Sequence, residues 1–183
     1  MANAQLRSPF VNVMAWLSLA VALLSAFGNA LQALTLVVSP DLGDLAALLP
    51  PGTERPAMLQ WLGEHLLSLS LLGVLLSLLM AWISWALLQR REWARLAFIA
   101  VLVLVALANF ACIPLLDTAL AMMNAAVAHS AGDDVAAELA AASGPLLAAM
   151  KLVSWIGALA IALIHGWIAW RLCRPEIRRE FAR

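Results

Sequence analysis

An all-α fold is predicted, an integral membrane four-helix bundle that forms a single transmembrane domain over residues 1–183, with short extracytoplasmic interfacial helices. Three observations predict it. Hydrophobic residues make up 64% of the chain and charged ones only 12%, against about 25% charged in soluble domains. Four runs carry no charge at all: Phe10 to Val38, Leu66 to Leu88, Leu96 to Leu116 and Leu152 to Trp170. Each approaches or exceeds the roughly 20 residues that cross a hydrocarbon core as a helix, and lipid leaves a bare backbone no other way to satisfy its polar groups. Finally, the charges segregate. Arg7, Arg90, Arg91, Arg95, Arg171, Arg174, Arg178, Arg179 and Arg183 fall on one side of the spans, and only Arg55 and Lys151 on the other. That other side also holds Asp41, Asp44, Glu54, Glu64, Asp117, Asp133, Asp134 and Glu138. Basic residues beside span ends stay in the cytoplasm, which places both termini and the Arg90 turn there and makes the basic cluster a topology signal.

The first span covers about residues 10–38. Arg7 and the small residues of "SAFGNA" resemble a secretory signal, but the apolar run continues through "LQALTLVV" and outgrows a signal core of about 7–15 residues. Retention is the expectation and cleavage the alternative. Outside the membrane, Ser39-Pro40 and Arg55-Pro56 place proline where a helix starts, with "PPGTERP" as a loop between them. The second span covers about 66–88 and the third about 96–116, joined by the arginine-rich turn. The segment after it is rich in alanine, the best helix former, and breaks are expected at Gly132 and at Ser143-Gly144-Pro145. Asp133 and Asp134 favour the positive end of a short helix between those breaks. The fourth span covers about 152–172.

Tryptophans mark the membrane boundaries: Trp82, Trp85, Trp93, Trp167 and Trp170 at the inner headgroup level, Trp61 and Trp155 at the outer. Part of this pattern recurs. "AWISWALL" is matched by "GWIAWRLC" at an offset of 85 residues, pairing Trp82 with Trp167, Ile83 with Ile168, Trp85 with Trp170 and Leu87 with Leu172. At the same offset Gly73, Ser77 and Ala81 pair with Ala158, Ala162 and Gly166. Spacing by four puts each triplet on one helix face. The match suggests a duplicated helical hairpin, a parallel repeat about the membrane normal. Membrane helices associate by close packing at small residues, so spans two and four are expected to touch. Ser154 extends the stripe on span four, and Ser18, Ala22, Ala26 and Ala30 form a similar row on span one. The alternative is that a chain rich in alanine produces such rows by chance.

Polar groups inside spans are where function is sought, because burying them in lipid costs free energy. Asn29, Gln32, Asn109 and His165 are the candidate ligand-binding residues. Counted along the helical rise, the three amides fall in the outer half and could line a small cavity. The plainer alternative is that they hydrogen-bond within the helices, and that His165 is bonded to a carbonyl. Lys151, the only lysine, stands at the outer end of span four near the level of Glu64. An ion pair between Glu64 and Lys151 is expected, with Asp117 as the next candidate partner and snorkelling into headgroups as the competing reading.

Several functions are excluded by geometry. His65 and His165 differ by roughly 20 Å in depth on the helical rise, so they cannot share a haem. Cys112 and Cys173 lie about 25 Å apart in depth by the same rise, and a disulfide spans an α-carbon distance of only about 7 Å. No span core holds a carboxylate, and no phosphate-binding, nucleophile-elbow or zinc-protease motif occurs. No cofactor, metal, catalytic residue or nucleic-acid partner is expected.

At Arg90-Arg91-Glu92-Trp93-Ala94-Arg95 the chain resembles small bacterial inner-membrane proteins with four spans, in which a basic turn with Trp-Ala-Arg leads into a helix. The likeness is confined to that turn. It implies a bacterial inner membrane and no particular activity. The leading expectation is a non-enzymatic partner subunit or assembly factor, in contact with the bilayer and with a membrane protein or a second copy. The alternatives are a small-solute carrier or channel using the outer-half polar residues, and a lipid-acting enzyme with Glu64 and His65 as acid and base.

Overall fold

The structure, a computed structural model, describes residues 8–39, 57–130 and 133–181. Among them are five helices and no strand: α1 (Pro9–Val38), α2 (Ala57–Leu88), α3 (Glu92–Ser130), α4 (Asp133–Leu172) and α5 (Pro175–Phe181). The first four are each long and apolar enough to cross a membrane. Proline opens α1, where its missing N–H costs nothing and its fixed φ suits the first turn. The expected start at Pro40, the "PPGTERP" loop and Gly132 lie outside the described residues.

The helices pair as two antiparallel hairpins, α1 with α2 and α3 with α4. On α1 the buried positions are Val11, Ala15, Ala22, Ala26 and Ala33. Their spacing of four and seven is a heptad seam. Asn12 meets Arg90 at one end and Asn29 overlies Gly73 further along, which fixes the register. In the second hairpin Arg95 meets Leu172, Phe110 meets Trp155 and Asp117 meets Lys151. Environments repeat with the sequence: Ile83 and Ile168 are buried, as are Leu87 and Leu172, while Trp82, Trp85, Trp167 and Trp170 are exposed.

Two expectations are corrected. Gly73 on α2 packs on Asn29 of α1, and α2 and α4 scarcely meet. Small residues permit close approach but do not name the neighbour; here each helix approaches the one next to it in sequence. On α4, Ala158 is buried, yet a Cβ added to Gly166 would meet open space. The predicted break at Ser143-Gly144-Pro145 is also absent, since α4 runs through Pro145, and α3 runs through Pro114. Gly144 has no Cβ to clash with the Pro145 ring, so the usual bar to helix before proline is relaxed. Instead of a separate interfacial helix after the third span, α3 itself extends to 39 residues, about 58 Å at the helical rise. That exceeds the roughly 40–45 Å of a whole bilayer.

The apolar core sits at one end, the end that carries the arginines. Val11, Ala15, Ile83, Ala86, Leu87, Ala94, Phe98, Leu102, Ile168 and Leu172 meet there, and α5 adds Ile177 and Phe181. Away from it, contacts are mainly within each hairpin, and only 6% to 22% of each apolar stretch is buried inside the chain.

Candidate functional site: the basic end

Where α1 to α4 converge, two helix N-termini and two C-termini lie side by side, each with unsatisfied backbone groups. The charged residues answer them in the sense the helix dipole favours. Both carboxylate oxygens of Glu180 accept from the Ser8 N–H, at 3.2 and 3.3 Å, at the start of α1. At the end of α4, Arg95 donates Nη1–H to the Leu172 carbonyl at 3.2 Å. Arg95 is only 4% exposed. It also donates Nε–H to Glu92 Oε2 at 3.1 Å, and Nη2 bonds to the other oxygen of that carboxylate.

Arg90 joins three elements. Its Nη2 donates to Asn12 Oδ1 at 2.9 Å and to the Ser8 carbonyl at 3.4 Å. Its Nε lies 3.3 Å from Glu180 Oε2, and its guanidinium lies over the Phe181 ring. The backbone at Arg90 is left-handed, with φ 60°, a conformation that costs an ordinary residue about 1 kcal/mol or more. Two bonds close the end of α2 around it, Arg90 N–H to Leu87 O and Arg91 N–H to Ala86 O. This is a helix-ending turn in which glycine is usual; here arginine holds the position with a side chain that ties α1 to α5.

Among the described basic residues at this end, Arg91, Arg174, Arg178 and Arg179 are exposed and Arg171 is half-buried. Arg171 stacks on Phe10 and Trp167, and Arg174 on Trp170. Trp82 and Trp93 meet across the turn at 4.9 Å between ring centres. Beneath α5 an open depression of about 400 Å³ is lined by Glu92, Pro175, Arg178, Arg179 and Phe181.

Sequence reasoning missed α5. Its signals were present: Pro175 at the first position, Glu176 in the first turn, Arg178 and Arg179 in the last, and Ile177 and Phe181 four apart on one face. The string of arginines reads as a topology signal, which hides the two apolar residues between them.

The polar candidates within the long apolar helices do not converge. Asn29 Nδ2 donates to the Ser25 carbonyl and Asn109 Nδ2 to the Val105 carbonyl. His165 Nδ1 pairs with the Ile161 carbonyl at 2.7 Å. Each bond lies within one helix, and α1 and α3 belong to different hairpins. Gln32 lines an open depression of about 380 Å³ with Gly28, Leu31, Thr35, Leu36 and Leu66, without Asn29 or Asn109. Glu64 accepts from Gln60 Nε2, while His65 pairs with the Trp61 carbonyl and stacks on its ring. The two side chains thus engage different neighbours. Both Cys112 and Cys173 are free, and among the described residues no group of three His, Cys, Asp or Glu gathers to hold a metal.

Lys151 is paired with Asp117, Nζ to Oδ2 at 2.7 Å, and not with Glu64. The reason is again the hairpin: α4 packs on α3, so the acid at its level is on α3. In double-mutant cycles on detergent-solubilised protein, Asp117→Asn with Lys151→Met should show a coupling of about 0.5–1 kcal/mol, typical of a partly exposed pair. The Glu64→Gln and Lys151→Met cycle should be additive. Coupling in the second cycle alone would refute the assignment.

No protein-family model matches the chain, and no curated protein or solved structure is significantly similar to it.

Proposed function

We propose that the chain is a multi-pass protein of a bacterial inner membrane, with both termini and the Arg90 turn in the cytoplasm. In this reading it is a non-enzymatic partner subunit or assembly factor. The observation that carries it is the distribution of burial: four long apolar helices are tied together at one end, and most of their remaining surface stays uncovered by the chain itself. Exposed apolar faces of that size are stable against lipid or a partner, not water. The self-bonded Asn29, Asn109 and His165 support a structural over a solute-binding role. Paired environments at Ile83 and Ile168, and at Leu87 and Leu172, support descent from one duplicated hairpin.

Purification in mild detergent followed by crosslinking and mass spectrometry tests the role. A membrane protein recovered in stoichiometric amount is the expected result; recovery of the chain alone with a tightly held small solute would overturn it. For orientation, reporter fusions after Leu88 and Arg183 should read as cytoplasmic, and fusions near Gly52 and Gly132 as external. The opposite pattern would invert the topology.

A further inference from the structure

We propose that the depression beneath α5 binds the phosphate-bearing headgroup of an anionic phospholipid, with Arg178 and Arg179 as its ligands. The inference rests on the membrane reading above, with the basic end at the inner surface. The charges at this end are unequally used. Glu92 is engaged by Arg95 and Glu180 by Arg90 and Ser8, so the carboxylate in the lining of the depression is already neutralised from behind. Arg178 and Arg179 are exposed at its rim and, among the described residues, bond to no carboxylate.

The platform is held in place before any ligand arrives. Ile177 and Phe181 anchor one face of α5 in the core, and Glu180 fastens its last turn to α1 and the Arg90 turn. Arg178 and Arg179 therefore project from a short helix whose position is set, which lowers the ordering cost of binding. The surrounding aromatics fit the depth: Trp167 and Trp170 carry stacked arginines, the amphipathic arrangement of a headgroup layer. Arginine's planar fork suits phosphate oxygens, and a depression of about 400 Å³ admits a headgroup.

The test is native mass spectrometry of the full chain in detergent, titrated with phosphatidylglycerol, with phosphatidylcholine or with inorganic phosphate. Wild type should retain phosphatidylglycerol in preference to phosphatidylcholine. Arg178→Gln with Arg179→Gln should weaken that retention by about twenty-five-fold, a factor of about five for each charge at a membrane surface. Arg178→Lys with Arg179→Lys should keep most of it. Inorganic phosphate at equal concentration should not compete. Equal retention of both lipids, an unaffected glutamine variant, or displacement by inorganic phosphate would each overturn the proposal. Alkaline extraction of membranes separates the two readings: a chain released with peripheral proteins refutes the membrane reading itself, whereas a chain that stays embedded yet shows no lipid preference refutes only the headgroup site.

Discussion

Arg95→Ala is expected to lower stability by about 3 kcal/mol, read as a fall in detergent melting temperature or in resistance to denaturant. The guanidinium is 4% exposed and supplies the hydrogen bond that ends α4 at Leu172. Hydrogen bonds from charged groups contribute about 1.5–3 kcal/mol, and removing a long buried side chain leaves a cavity that adds to the loss. Arg95→Lys should recover part of the effect, because a single ammonium cannot serve Glu92 through two nitrogens and reach the Leu172 carbonyl as well. Glu92→Gln should cost much less, since its side chain is 45% exposed and can turn to water. Equal losses for Arg95→Ala and Glu92→Gln would mean that the Leu172 carbonyl bond contributes nothing.

Gly73→Ala is the second large effect, and its sign depends on one neighbour. A Cβ at position 73 would lie 2.8 Å from Asn29 Cγ, closer than a carbon contact allows, and closer still to Asn29 Oδ1. To make room, Asn29 must rotate and give up its bond to the Ser25 carbonyl, or the α1–α2 seam must open. Overpacking costs about 1–3 kcal/mol, and the lower end of that range applies here because the atoms in the way are the end of a half-buried side chain that can rotate. The double substitution Asn29→Ala with Gly73→Ala should restore stability, because alanine then faces alanine and helix propensity favours alanine over glycine by about 1 kcal/mol. Gly166→Ala should be neutral or stabilising, since the added methyl meets nothing. A melting series in which Gly73→Ala and Gly166→Ala behave alike would remove the close approach of α1 and α2.

The sequence by itself determined the helical class, the four apolar stretches and the segregation of charge. These are local or summed properties: an uncharged run of sufficient length forms a helix whatever it packs against, and arginines are counted without knowing their contacts. It also carried the 85-residue correspondence that reappears as matched burial at Leu87 and Leu172. Helix ends were less legible. The spans expected from residues 66 and 152 mark where charge disappears; the helices begin at Ala57 and Asp133, beside Arg55-Pro56 and at the Asp133-Asp134 pair, where the sequence expects helix starts. What was not legible is that each runs on unbroken into its span, because a helix does not end where it enters an apolar layer.

Only the tertiary structure decided which faces meet. Gly73 and Ser77 announce a close contact, but the partner is α1 because Asn29 lies over Gly73, a pairing no spacing rule contains. Lys151 has acids near its level on two helices, and the hairpin gives it Asp117. The arginines divide the same way: by count they are equivalent, yet Arg90 and Arg95 are built into the joint between helix ends while Arg178 and Arg179 stay outside it. Burial and hydrogen bonding separate them: Arg95 is held by the Leu172 carbonyl at the end of α4 and Arg90 by Glu180 where α5 folds back onto Ser8, long-range contacts that leave no trace in either local sequence.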